Sequence, residues 1–224
     1  MNAQELTGLA RSHIVELPEP PCLLHGSVHG AFLAMRRAAA AAGLDLAAQS
    51  SFRDFGRQLA IWNGKFSGSR SMNDAAGQPV DGAALDPDAR IDAILMWSAL
   101  PGASRHHWGT DIDLIDRNAV AAGYQVQLTP AEFGGGGPFA ELTRWLEAHA
   151  ARFGFFRPYR GVRSGVQAEP WHWSFAPLSE PARRNLTAPV LRAAIENAAL
   201  LGKDLVLKRL DELHQRYVER IDPP

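Results

Sequence analysis

Two short segments of alternating polar and apolar residues, GTDIDLI at 109–115 and EPWHWSF at 169–175, most constrain how this chain can fold. A period of two predicts β-strands, in which successive side chains point to opposite faces of a sheet. In the first segment both aspartates, Asp111 and Asp113, therefore share one face. Helical patterns surround the two strands without a regular strand–helix–strand repeat. This order favours an α+β fold over a doubly wound parallel sheet.

The remaining pattern predicts mostly helices. Helical spacing of apolar residues covers residues 29–42, 57–62, 87–100, 139–153 and most of the chain after Pro181, where two helical segments meet near Gly202. The sequence LAAQSSF predicts a further strand. Residues 63–87 are rich in Gly, Ser, Asp and Asn without clear periodicity, which predicts a long surface loop.

Composition limits the class of protein. With 224 residues, 46% of them hydrophobic, the chain can bury a full core as a single domain spanning residues 1–224, and we expect a monomer. A net charge of −1 gives no general electrostatic reason to bind nucleic acid or an anionic membrane. The single cysteine, Cys22, excludes an internal disulfide and a metal site built on several thiolates. Any metal would need nitrogen and oxygen ligands.

The cellular compartment is predicted from the absence of a secretory-signal pattern in the N-terminal sequence. Residues 1–20 contain no basic start followed by an apolar core, so we expect a cytoplasmic protein, with the periplasm as the alternative. The alanine-rich run at 31–48 is interrupted by charged residues, which favours a packed helix over a membrane span.

Metal-competent side chains concentrate in residues 104–114 and 169–173, which hold three of the eight histidines. A catalytic zinc site typically has three protein ligands and one open position, and two imidazoles with one carboxylate form such a set. His106, Asp113 and His172 supply it, for one zinc ion per chain. Glu169 lies three residues before His172, where it can accept a proton from the attacking water. Because no H-E-x-x-H motif is present, the ligands must come from separate strands or loops.

Three motifs then resemble signatures of the LAS metallopeptidases (peptidase family M15), which include D-alanyl-D-alanine carboxypeptidases, vancomycin-resistance dipeptidases and several phage endolysins. SRHHWGTDID at 104–113 follows S-x-H-x-x-G-x-A-x-D, except that Asp111 replaces alanine, and EPWH at 169–172 follows E-x-W-H. SSFRDFGRQ at 50–58 resembles S-G-Y-R-S-x-x-x-Q, with three departures: Ser51, Phe52 and Asp54. The resemblance covers residues 50–175.

The resemblance implies a fold and a set of roles. The fold would be a small antiparallel central sheet flanked by helices, similar to hedgehog and D-Ala-D-Ala carboxypeptidase domains, with a core at about 25–178 and a helical extension at about 179–220. His106, Asp113 and His172 would bind zinc, and Glu169 would be the general base and acid. Arg53 would contact the substrate or the developing oxyanion, and two further residues would line the substrate: Gln58 and Ser104.

Some neighbouring residues leave alternatives open. Asp111 shares a face with Asp113, so it could be a competing ligand or an acceptor for a ligating histidine, although we assign Asp113 as the ligand. His107 should face away from the metal, because consecutive side chains of an extended backbone diverge. We interpret three tryptophans as walls of a pocket: Trp108, Trp171 and Trp173.

The expected function is hydrolysis of a small peptide or muropeptide. The resemblance favours a D,D- or L,D-carboxypeptidase or a D-Ala-D-Ala dipeptidase, with a phage-type peptidoglycan endopeptidase as the alternative. A second rival is a non-enzymatic, zinc-stabilised binding module similar to the hedgehog signalling domain. Retention of Glu169 argues against that module, because binding alone does not need a carboxylate beside the water.

Overall fold

A computed structural model describes residues 1–19, 21–161 and 165–224. Its strands are β1 (Ile14–Pro18), β2 (Pro21–His25), β3 (Leu46–Ser50), β4 (Met72–Asn73), β5 (Pro79–Val80), β6 (Asp111–Asp116), β7 (Phe155–Phe156) and β8 (His172–Phe175). Its helices are α1 (Ala3–Leu6), α2 (His29–Ala41), α3 (Phe55–Phe66), α4 (Pro87–Leu95), α5 (Pro130–Phe133), α6 (Ala140–His149), α7 (Ala176–Asn185), α8 (Ala188–Glu196), α9 (Lys203–Lys208) and α10 (Leu210–His214).

The central sheet has four antiparallel strands in the order β3-β6-β8-β7. Its register pairs Asp113 of β6 directly with His172 of β8 on one side and with Ser50 of β3 on the other. Directly paired residues have neighbouring side chains on the same face of a sheet. The register alone therefore joins two distant sequence motifs.

The two faces of the sheet differ in chemistry. Ile112 and Leu114 of β6 and Trp173 of β8 are buried in an apolar cluster with residues of α2 and α6. The opposite face carries Asp111, Asp113 and His172. The predicted alternation is therefore confirmed, as is the predicted α+β fold with a small antiparallel sheet flanked by helices.

The C-terminal helices pack against α3 and α4. The Trp62 indole nitrogen donates to the Leu201 carbonyl at 3.0 Å, and Arg209 donates to Asp92 on α4 at 2.7 Å. Gly202, directly before α9, has a left-handed backbone (φ +74°), which glycine adopts without strain. The chain after Gly202 is divided into α9, α10 and a π-helical turn at Gln215–Glu219 instead of forming one continuous helix.

The prediction of a long surface loop at 63–87 was partly wrong. Helix α3 continues to Phe66, and β4 and β5 form a short hairpin. The turn of this hairpin is held by the Asp74 carboxylate, which accepts from the backbone of Ala76 and Gln78. Local side-chain hydrogen bonds of this kind leave no periodic pattern in the sequence, so the hairpin was not predicted. Among the described helices, none combines the length and apolarity needed to cross a membrane.

Candidate active site

A cavity of about 580 Å³ opens on the polar face of the sheet. Its lining includes the two signature motifs, Arg53 before α3, and the loop at 127–131. The C-terminal helices also contribute five residues to the wall: Leu191, Leu213, His214, Tyr217 and Val218. The extension therefore forms part of the candidate site.

His106, Asp113 and His172 meet in this cavity, with one potential ligand atom from each within 4.8 Å of the others. His106 lies in a 3-10 turn at Arg105–Trp108, just before β6. Its Nε2 atom is 3.3 Å from Asp113 Oδ2, and His172 Nδ1 is 3.2 Å from Asp113 Oδ1. All three residues are buried.

Asp111 orients both imidazoles. Its backbone carbonyl accepts from His106 Nδ1 at 3.1 Å, and its side-chain Oδ1 lies 3.0 Å from His172 Nε2, which donates to it. A ring nitrogen that donates outward leaves the other nitrogen with a free lone pair. The free nitrogens, His106 Nε2 and His172 Nδ1, both face Asp113. Metal-binding histidines are commonly oriented by an acceptor of this kind.

The Asp111 carboxylate is itself fully engaged. Arg105 Nε donates to it at 2.7 Å and Thr110 Oγ1 at 2.6 Å, while a second Arg105 nitrogen donates to Ser174 at 2.6 Å. Although burial alone would raise the pKa of Asp111, the Arg105 charge and these hydrogen bonds hold it well below its usual range. The structure thus places Asp111 behind the histidines, in the acceptor role, and leaves Asp113 facing the cavity.

These residues fit a metal ion. Asp113 Oδ1 is buried and accepts no hydrogen bond from the residues that the structure describes, which is costly for a carboxylate oxygen unless a cation can occupy the space beside it. Burial lowers the pKa of His172, but Asp111 and Asp113 outweigh it and raise that pKa to about 10. The cluster therefore attracts positive charge. Two imidazoles and one carboxylate match the ligand set of a catalytic zinc site.

Glu169 lies beside the cluster, with Oε2 at 3.5 Å from His172 Nδ1. Its backbone is held on both sides: Glu169 N donates to the Tyr159 carbonyl at 3.0 Å, and His172 N donates to the Glu169 carbonyl at 3.2 Å. Burial raises the pKa of Glu169 to about 7, an effect that the His172 charge only partly offsets. The side chain lines the cavity and can reach a water molecule next to the cluster.

The structure assigns different positions to the three predicted substrate residues. Arg53 and Ser104 line the cavity. Gln58 does not: it is fully buried, donates to the Ala99 carbonyl at 2.6 Å and accepts from Arg53 Nη1 at 2.9 Å. The direct substrate contact predicted for Gln58 is therefore corrected to a role in holding the Arg53 guanidinium, which also donates to Ser50 at 3.2 Å. Sequence motifs cannot separate direct contacts from contacts made through a neighbour.

His107 joins the Arg53 loop to the histidine turn. Its Nδ1 donates to the Arg53 carbonyl at 2.5 Å, and its Nε2 accepts from Gly102 N at 3.2 Å. Arg53 N in turn donates to the His106 carbonyl at 3.1 Å. Burial lowers the pKa of His107 to about 3, so His107 makes both hydrogen bonds as a neutral imidazole. His107 faces away from the cluster as predicted, although the backbone here is a 3-10 turn and not the extended strand on which the prediction was based.

Gly109 explains another motif position. Its backbone is left-handed (φ +64°), and a Cβ atom there would lie 2.6 Å from the backbone nitrogen of His25. Only glycine fits this close approach without a backbone shift. The turn between the histidines and β6 therefore depends on it.

The tryptophan prediction was right for one of three residues. Trp171 lines the cavity, whereas Trp108 and Trp173 are buried in the apolar clusters and donate to the Leu6 and Pro170 carbonyls. Strand alternation places Trp173 on the apolar face, opposite the site. Sequence reasoning missed most of the other lining residues because nothing in their local sequence marks them, and three with polar or aromatic side chains are Lys65, Trp97 and Tyr159. The Tyr159 ring lies 5.0 Å from that of His172.

A family model described as VanY, D-alanyl-D-alanine carboxypeptidase, matches residues 22–178, more than half of the chain. The chain belongs to this family. Membership confirms the predicted relationship and places the chain among hydrolases of peptidoglycan peptides. The D-alanyl-D-alanine carboxypeptidase of Enterococcus faecalis is 30% identical over 82 residues, which cover 35% of this chain and 25% of that protein.

Two Haemophilus influenzae proteins, both described as uncharacterized, are also similar. One is 35% identical over 121 residues, covering 53% of this chain and 92% of that protein. The other is 43% identical over 107 residues, covering 45% and 70%. They support the relationship without indicating a substrate.

Solved structures share the VanY-family fold. A structure of VanYB in complex with D-alanine-D-alanine has a TM-score of 0.54 and 20% sequence identity, covering 82% of this chain and 88% of that one. A VanY D,D-pentapeptidase variant in complex with Zn(II), from a VanB-type vancomycin-resistance cassette, has a TM-score of 0.52 and 22% identity, covering 77% and 83%. At these identities the likeness concerns the fold.

Asp111 provides a test of the site geometry. Replacing it with asparagine keeps its size but removes the charge that holds the His172 tautomer, so we expect zinc affinity to fall by about 10- to 100-fold. Chelator competition on the folded variant measures this. Unchanged affinity would refute the orienting role. If Asp111→Ala eliminates zinc binding while Asp113→Ala retains it, Asp111 is the ligand instead.

Proposed function

We propose that this VanY-family chain is a zinc-dependent carboxypeptidase that removes a C-terminal D-alanine from peptidoglycan-type peptides, with D,D- or L,D-specificity or dipeptidase activity as its possible forms. The observation that carries this proposal is the convergence of His106, Asp113 and His172 in one cavity, with Glu169 at 3.5 Å from His172. His106 Nε2, His172 Nδ1 and the Asp113 carboxylate would hold one zinc ion per chain. His106 Nε2 and the Asp113 carboxylate offer electron pairs to the same space, and His172 Nδ1 does so after losing the second proton that its raised pKa retains in the free protein, because metal binding releases protons from its ligands.

Bound at this cluster, zinc would supply Lewis acidity, which polarises a carbonyl and makes a water molecule more acidic. Glu169 accepts the proton of that water and later donates it to the leaving amine. Its buried position, between the Tyr159 carbonyl and His172, holds it on one side of the cluster. Asp111 keeps the two imidazoles in the tautomers that the site requires.

Arg53 gives the cavity a cation that can bind an anionic part of the substrate. Gln58 and Ser50 hold its guanidinium from behind, which leaves donors free for a ligand. Burial lowers the pKa of Arg53, but an arginine remains protonated at neutral pH. The guanidinium would bind the C-terminal carboxylate or stabilise the tetrahedral oxyanion. Ser104, which is buried in the cavity wall, would contact the same peptide.

A direct assay tests the function. The zinc-loaded chain is incubated with D-Ala-D-Ala, with a pentapeptide stem, with a tetrapeptide stem and with cross-linked muropeptides, and the products are resolved by mass. Release of free D-alanine from the stems supports a carboxypeptidase. Cleavage restricted to cross-links would instead identify an endopeptidase, and binding without cleavage would favour the non-enzymatic module.

Experiments on Arg53 distinguish exopeptidase from endopeptidase activity. If Arg53 binds the terminal carboxylate, amidating the substrate's C-terminus should reduce kcat/KM by about 10- to 100-fold, because a charged hydrogen bond contributes roughly 1.5–3 kcal/mol. Arg53→Ala should erase most of that difference. The exposed Arg57, in the first turn of the adjoining helix α3, provides the matched control Arg57→Ala, which should retain it. Equal cleavage of acid and amide by the unmodified enzyme would favour the endopeptidase.

A further inference from the structure

A second cation, Lys65, lines the same cavity from the last turn of α3. Among the residues that the structure describes, its ammonium group makes no hydrogen bond and no ion pair. Burial lowers the pKa of Lys65 to about 8, and the positive charges of Arg53 and Arg70 add to this effect, while Glu169 opposes it. A partly buried cation without a partner is unfavourable in the free protein. A ligand anion would remove that cost.

The rest of the lining restricts what the cavity can bind. Asp113 and Glu169 are the only carboxylates among its described lining residues, and both belong to the proposed catalytic cluster. No further carboxylate in this described lining is available to pair with the free ammonium group of a dipeptide. The charge outside the cluster is instead positive: Arg105 is paired with Asp111, which leaves Arg53 and Lys65. The cavity therefore suits a blocked or longer peptide that carries more than one carboxylate.

The spacing of the two cations indicates how far apart these carboxylates lie. Arg53 lies two residues before α3 and Lys65 lies near its end, so about 15 Å of helix separates Lys65 from the start of α3 at Phe55. Both side chains are long and face one cavity, which shortens the gap between their charged ends. If the two charged ends lie roughly 10 Å apart, about three extended residues of a bound peptide span the distance between them.

We propose that Lys65 forms a specificity subsite for a second carboxylate, located on the third or fourth residue from the C-terminus of the substrate. This inference rests on the proposed function, since it places the C-terminal carboxylate or the oxyanion at Arg53. In a peptidoglycan stem such a carboxylate could belong to a diaminopimelate at the third residue or to a γ-linked D-glutamate at the fourth. A free D-Ala-D-Ala dipeptide has neither and would bring its ammonium group toward Lys65.

Lysine in the last turn of a helix also has a structural use, because it interacts favourably with the helix dipole. In that role Lys65 would contribute to the stability of the fold but would not affect ligand affinity. The two roles are separated by comparing ligands on one protein. A structural lysine leaves the ratio of two ligand affinities unchanged, whereas a subsite lysine determines it.

The test measures binding in the zinc-loaded Glu169→Gln variant, which avoids turnover. The probes are acetylated tetrapeptides ending in D-Ala-D-Ala, with carboxylates on the third and fourth residues from the C-terminus, and versions with each carboxylate amidated in turn. Calorimetry gives the affinities. We expect one of the two amidations to weaken binding by about 10- to 100-fold, and its position identifies the group that Lys65 contacts.

Adding Lys65→Gln should abolish this discrimination, and Lys65→Arg should retain part of it. Lys208→Gln is the matched control, since Lys208 is exposed on α9 and does not line the cavity, and it should preserve the full effect. Equal affinity for all probes, or discrimination that persists in Lys65→Gln, would overturn the subsite.

Turnover by the unmodified enzyme separates this inference from the proposed function. Cleavage of the probes without any Lys65-dependent discrimination would support the carboxypeptidase and reject the subsite. Binding that depends on Lys65 without cleavage would support the subsite and reject the carboxypeptidase.

Discussion

Replacing Glu169 with glutamine should lower turnover by about 10²- to 10⁴-fold while the protein stays folded and loaded with zinc. Glutamine has nearly the same shape, so it can occupy the same buried position beside His172, but it cannot accept the proton of the attacking water. The Tyr159 and His172 backbone contacts do not involve the side chain and should remain. The expected loss is therefore chemical, and it should appear in kcat more than in KM.

Steady-state kinetics on the best stem peptide, with metal analysis of the same preparation, measures this effect. Glu141→Gln is a matched control, because Glu141 is an exposed residue of α6 and does not line the cavity. It should leave turnover unchanged. Undiminished turnover in Glu169→Gln would remove Glu169 from the mechanism, and loss of zinc in that variant would show that its role is structural.

Replacing His172 with alanine should eliminate both zinc binding and activity. His172 supplies one of the three proposed ligand atoms, and its other nitrogen joins the site to Asp111. Its removal leaves Asp111 and Asp113 as two carboxylates in a buried space with one imidazole fewer. Zinc content after dialysis should fall from about one ion per chain to nearly zero. This is the largest effect we expect from a single substitution.

His29→Ala provides the comparison, because His29 begins α2 and does not line the cavity. That variant should keep its zinc and its activity. Full zinc occupancy in His172→Ala would disprove the ligand assignment. Circular dichroism of both variants establishes that the metal, and not the fold, is what changes.

Much of the fold could be predicted because its signals are local. Alternation over 109–115 indicated β6 and the face shared by Asp111 and Asp113, since a strand turns each successive side chain to the other side. Helical spacing likewise indicated α2, α4, α6 and the C-terminal helices. The hairpin of β4 and β5 was missed because it depends on Asp74 hydrogen bonds and not on a periodic pattern.

The candidate site likewise has features that the sequence predicts and features that depend on the fold. The donors, their order in the motifs and the family could be inferred from the sequence, because these depend on residue identity and spacing. The sequence left Asp111 with two alternative roles. The tertiary structure favours the acceptor role, since contacts with Arg105, Thr110 and His172 hold the carboxylate behind the imidazoles.

The roles of the residues around the site also depend on the tertiary structure. Gln58 holds Arg53, His107 joins two loops, and Lys65 enters the cavity although its position in α3 resembles that of an ordinary surface lysine. These roles depend on which elements meet, and elements far apart in sequence meet through strand register and helix packing. A residue's type determines the chemistry it can perform, but its partners across the fold determine the chemistry it does perform.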